Sequence, residues 1–149
     1  MIRKLILASL LAPASLAAQE LPTAAYLPLD MATKAAQAAL GACAADGYNV
    51  SVAIVARDGA TKVHLKADNS GPHTVGSAQG KAFTSASMGR DTAGLANFIG
   101  ENPQHDGLRY MDRRMVIQGG GLPILIGRPP PWGTMAGAAR QGWRPAGRR

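Results

Sequence analysis

The chain has 149 residues, 16 of them Lys or Arg and 9 Asp or Glu, for a formal charge of +7. That excess sits at the two ends: residues 19–127 hold 9 basic and 9 acidic residues, and this neutral body does not suggest the basic face that nucleic-acid binding requires. The single cysteine, Cys43, excludes an internal disulfide and any metal site built from two or more cysteines of one chain.

The first 18 residues read as a secretory signal peptide. Arg3 and Lys4 form a basic start, Leu5 to Leu16 is uncharged and mostly apolar, and Ser15 and Ala17 supply small residues for cleavage before Ala18 or one residue later. The apolar run of about 12 residues is shorter than the ~20 that a spanning helix needs. The expected location is therefore the periplasm or the medium, with one domain over residues 19–127. In such an oxidising compartment a lone Cys43 is best buried, as a small apolar side chain on a helix.

A lead-in with two prolines reaches Asp30, a good N-cap, and the Ala-rich run from Met31 to Ala45 reads as a helix ended by Asp46-Gly47. The period then changes to two. Asn49 to Arg57 reads as a strand, Asp58-Gly59 as a hairpin turn, and Thr61 to Lys66 as the return strand, with His64 on its polar, solvent-facing side. Asp68 to Pro72 is a loop. His73 to Met88 reads as a second helix weakened by Gly76 and Gly80, and Thr92 to Ile99 as a third. His105 falls in an exposed polar turn. Met115 to Gln118 and Leu122 to Ile126 read as short strands joined by Gly119-Gly120-Gly121, a tight bend or close backbone approach rather than a phosphate cradle. Helix, hairpin, helices and strands in that order give an α+β fold with an antiparallel sheet. Residues 128–149, with five arginines, four prolines and both tryptophans, show no amphipathic period and read as an irregular tail.

The segments LDMATKAAQAALGACAADGYNVSVAIVARDGATKVHLKADNSGPHTVGSAQGKAFTSAS and LRYMDRRMVIQGGGLPILIG together resemble the GlcG/HbpS family of small haem-binding or haem-utilisation proteins. The likeness lies in the order and spacing of the pieces over about 100 residues. It implies a profilin-like sheet of about five antiparallel strands flanked by helices, haem as the ligand, and assembly into homo-oligomers. The sequence departs from the family pattern in three places. Ala56-Arg57 replaces an acidic position, Gln79-Gly80 replaces a basic pair, and the match stops at Gly127. The last departure implies that the C-terminal strand and helix are missing or scrambled, as after a frameshift near codon 127.

Haem requires an apolar slot, an axial ligand and a cationic partner for its propionates. His73, in the run Ser70-Gly71-Pro72-His73-Thr74, is the candidate iron ligand; its rival reading is a helix-start residue bonded locally. Lys81 matches the family's lysine and is the candidate propionate partner, eight residues on and bordering the same cleft; its rival reading is a structural lysine with a buried stem. Arg113 and Arg114 are a basic pair that an anionic ligand can meet. No hydrolase triad surrounds Ser85 or Ser87, and no carboxylate pair is placed for glycosidase chemistry, so no catalytic machinery is read. The expected function is capture, buffering or sensing of haem outside the cytoplasm. The alternatives are an accessory protein binding another small molecule in glycolate- or diol-type metabolism, or an inactive truncated family member.

Overall fold

The computed structural model describes residues 25–125 and the backbone of 135–143; the expected signal peptide lies outside the described residues. The elements are α1 (Leu29–Ala45), β1 (Asn49–Val55), β2 (Thr61–Lys66), α2 (His73–Met88), α3 (Thr92–Glu101), a 3-10 helix (Pro103–Tyr110), β3 (Gly121–Leu125) and β4 (Met135–Trp143). The α+β class stands as expected.

The sheet has four strands among the described residues, ordered β2-β1-β4-β3, and every pair is antiparallel. Here the sequence expectation is corrected. Met135–Trp143, read as part of an irregular tail, is a strand at the sheet's centre, so the expected loss of a C-terminal strand does not hold. Its composition lacks strand character, and its state comes from its neighbours. One edge hydrogen-bonds β1 from Asn49↔Trp143 to Val55↔Gly137, and the other bonds β3 from Gly121↔Ala139 to Leu125↔Met135.

Alternation in β1 divides the core. Val50, Val52 and Ile54 face α1, where they pack with Ala32, Ala36 and Cys43. Ala53 and Val55 face α2 and meet Ala78, Ala82 and Ala86. Alanines on both helices let their axes lie close to the sheet, and Cys43 is 1% exposed, as expected. A third cluster joins Leu95 and Ile99 of α3 to Ile117.

Several local expectations shift. α1 begins at Leu29, so Asp30 lies in its first turn and caps nothing. β1 stops at Val55, and the turn to β2 spans Ala56 to Ala60, closed by the Ala56 N–H on the Ala60 carbonyl (2.8 Å) and by Gly59 at φ +86°. Met115 to Gln118 is not a strand; the Val116 N–H bonds the Thr84 hydroxyl on α2 (2.8 Å) instead of a neighbouring strand. The glycine run does serve a close approach. A Cβ on Gly121 would stand 2.7 Å from the Lys81 carbonyl oxygen.

Candidate functional site

The loop before α2 is held at every turn, and this fixes where α2 starts. The Ser70 hydroxyl donates to the Ala67 carbonyl (2.8 Å), and the Lys66 amine donates to the Ser70 carbonyl (2.7 Å). Thr74, fully buried, donates its hydroxyl to the Gly71 carbonyl (2.7 Å) and accepts from Ser51 of β1 (2.7 Å). With Thr74 pinned to the sheet, its neighbour His73 is turned outward and is exposed.

His73, Gly76, Gly80 and Phe83 recur at helical spacing and form one stripe of α2. Below His73 this stripe floors a cleft of about 220 Å³, lined by Gly59, Gly76, Gln79, Gly80, Phe83, Arg113, Arg114 and Val116. Two glycines make the cleft possible. At Gly80 a Cβ would collide with the Val116 side chain and stand 2.8 Å from the Arg114 carbonyl oxygen, so only glycine lets the 113–116 segment lie on the helix. At Gly59 a Cβ would stand 2.8 Å from the Phe83 ring, so the hairpin turn packs directly on that aromatic face.

The cationic wall is Arg113 and Arg114. The Arg114 guanidinium lies over the Phe83 ring at 4.1 Å from its centroid. It also forms a fork-to-carboxylate pair with Asp112, Nε to Oδ1 at 3.0 Å and Nη2 to Oδ2 at 2.5 Å. The hydrogen bonds from Arg114 hold the Asp112 carboxyl well below its ordinary value, at about 2.

The expected site residues are distributed as follows. His73 is exposed and continues the stripe that floors the cleft, although it does not line the cavity itself. Lys81 is 2% exposed and also lies outside the lining; burial lowers its amine's pKa. Neither Lys81 nor His73 therefore lines the cleft floored by this stripe. His64 is half-buried instead of surface-facing. It pairs with Ala53, on the sheet face that α2 covers, and its Nε2 is buried with no hydrogen-bond partner among the described residues. His105 is exposed, as expected, and stacks on Phe98 at 5.1 Å. No group of three His, Cys, Asp or Glu among the described residues could hold a metal ion, and no described helix is long and apolar enough to cross a membrane. Sequence reasoning missed Gly59, Gly76, Gln79, Gly80, Phe83 and Val116 as a lining. The available signal was the His73-Gly76-Gly80-Phe83 spacing.

A family model described as haem degrading protein HbpS-like matches residues 27–138. Among solved structures, a double mutant of HbpS from Streptomyces reticuli is 36% identical at TM-score 0.74, the alignment covering 88% of this chain and 84% of that one. Protein ORFY of Klebsiella pneumoniae shares the fold at TM-score 0.73 and 20% identity, covering 87% of this chain and 86% of its own. A PduOC–haem complex does so at TM-score 0.60 and 23% identity, covering 72% and 75% respectively. Comparison with curated proteins gives no match.

Proposed function

The chain belongs to the HbpS-like family, and on that premise we propose that it is an exported haem-binding protein that captures, buffers or senses haem outside the cytoplasm. The observation that carries the reading is the face of α2 that runs from an exposed imidazole, past the open surface at Gly76, to a cleft lined by Phe83, with the Arg114 guanidinium over its ring, and by Arg113. These are the parts that a flat, iron-centred dianion requires, and the residues fit it in kind.

In this reading His73 would hold the iron, presented outward because Thr74 is locked to Ser51 and Gly71. Gly76 keeps the open part of the helix surface flat, Gly80 seats the 113–116 segment on α2, Phe83 lines the cleft, and Arg113 and Arg114 would meet the propionates. Lys81 is too deeply buried to serve as their partner. Bound haem would supply a redox-active iron; the chain's part is to hold and orient it. Apolar side chains left exposed at Tyr110, Met111, Leu122 and Leu125 support the further proposal that the protein works as a homo-oligomer, which sedimentation velocity tests.

Titration of the purified chain with hemin tests binding. A saturable Soret shift at one haem per chain is expected. In His73→Ala the ligand-field bands should change and the affinity should fall by on the order of tenfold. A wild-type chain with no Soret shift removes the haem reading, and an unchanged spectrum in His73→Ala removes His73 as ligand. Export is tested by the N-terminal mass of the protein recovered outside the cytoplasm, with a start at Ala18 or Gln19 expected.

A further inference from the structure

Two consecutive arginines line the cleft, yet the one stacked on Phe83 already holds a carboxylate of its own chain. We propose that the cleft is a carboxylate-recognition site for the edge of a planar dianionic ligand, and that Asp112 is an internal competitor that occupies Arg114 until the ligand's carboxylate displaces it. The inference rests on the haem reading for its ligand and goes beyond it in giving Asp112 a competing role on the Arg114 fork.

Three observations carry it. The first is size. At about 220 Å³ the cleft is smaller than sites that enclose a drug-sized molecule, so it takes an edge and leaves the body of the ligand outside along the α2 stripe. The second is geometry. The Asp112 carboxylate accepts from Nε and Nη2 of Arg114 side by side, which is the arrangement a ligand carboxylate would adopt on the same fork. Meanwhile Phe83 fixes the plane of that fork from below. The third is exchangeability. The side chains of Arg114 and Asp112 are 64% and 31% exposed, so a bound dianion can replace Asp112 on the fork without leaving an uncompensated buried charge. Arg113, exposed and also lining the cleft, is available to the second carboxylate.

No other group is released in the exchange: one carboxylate leaves the fork and another enters, and both arginines stay protonated. Asp112 then loses the side-chain hydrogen bonds from Arg114, the largest cause of its low carboxyl pKa, while the Arg114 N–H still donates to its Oδ1 (2.8 Å), and its titration should move part of the way up toward the ordinary carboxylate range on saturation.

The experiment compares hemin with hemin dimethyl ester, in which both propionates are blocked, on wild type, Asp112→Asn and Arg114→Gln. Wild type should prefer hemin by on the order of tenfold. Asp112→Asn should bind hemin a few-fold more tightly with the ester unchanged, and Arg114→Gln should lose the preference. Arg114 and Asp112 are surface groups, and circular dichroism on each variant establishes that the fold is kept. Equal affinity of wild type for hemin and its ester overturns the carboxylate site and leaves haem binding standing. Weaker hemin binding by Asp112→Asn overturns the competitor role. Failure of wild type to bind either compound removes both this inference and the haem reading beneath it.

Discussion

Gly76 and Gly80 stand one turn apart on the same face of α2, and a methyl group at each is predicted to act in opposite directions. At Gly76 a Cβ meets nothing within 4 Å. Only helix propensity acts there, and it favours alanine by about 1 kcal/mol. At Gly80 the same gain is present but opposed. The Cβ would clash with the Val116 side chain and stand 2.8 Å from the Arg114 carbonyl oxygen, and a backbone atom cannot swing aside as a side-chain tip can. Forced overpacking costs about 1–3 kcal/mol. Displacing the 114–116 segment also breaks the 2.8 Å bond from the Val116 N–H to Thr84, worth roughly 1 kcal/mol. Gly80→Ala is therefore expected to destabilise by about 1–3 kcal/mol, and Gly76→Ala to stabilise by about 1 kcal/mol. With a urea slope of ~2 kcal/mol/M, the midpoints should move apart, down by ~1 M and up by ~0.5 M. Urea denaturation followed by circular dichroism reads both. A Gly80→Ala midpoint at or above wild type would mean that the 113–116 segment is not pressed on α2, and the cleft geometry would fall with it.

The remaining predictions concern other parts of the molecule. Gly76→Leu should fold normally while its side chain fills the cleft, and loss of hemin binding without loss of stability is the expected pair of results. Thr92 accepts from the Gly121 N–H (2.8 Å) and donates to the Gln118 carbonyl (2.5 Å), both from a fully buried position. Thr92→Val should lower stability by about 2 kcal/mol and Thr92→Ser by less; equal losses would show that the hydroxyl is not the cause. Burial lowers the His64 pKa below 6.5, so over that interval the unfolded chain binds a proton that the folded chain refuses. Stability should fall as the pH drops through about 6.5 and level off below the folded value. His64→Leu should remove that slope from a series of thermal melts, and an identical slope in both proteins would assign it to other groups.

What could be read in advance divides along a physical line. Elements whose state is set by their own periodicity were legible: α2 runs from His73 to Met88 as its pattern requires, and the hairpin strands form where the period of two places them. Elements whose state is set by distant partners were not. Met135–Trp143 becomes a strand because two others lie ready to bond it, and nothing in its own composition says so. Met115 to Gln118 looks like a strand, yet its backbone is claimed by Thr84 from 32 residues away. His64 sits among lysines in a polar alternation, and its burial follows from the helix that covers that face. His73 was legible as the first residue of α2. The union of Phe83 with Arg114 was not, since it joins residues that only the folded chain brings to 4.1 Å.

The position of β4 has a consequence for how the molecule comes into being. The strand at the middle of the sheet is the last of the four to leave the ribosome, and its register with β1 closes a loop of about 90 residues. Loop closure of that length is slow to nucleate, even though its entropy grows only logarithmically. Until then the nascent chain carries α1, the hairpin and α2 as a half-built unit, with one side of β1 unsatisfied and β3 without a neighbour in the sheet. A chain that lacks β4 exposes the edges of β1 and β3 at once, the condition under which chains pair with one another instead of with themselves. The protein's passage to a folded state thus depends on a late segment of small residues, and a chaperone that shields β1 during synthesis should raise the yield of soluble chain more than one that acts after release.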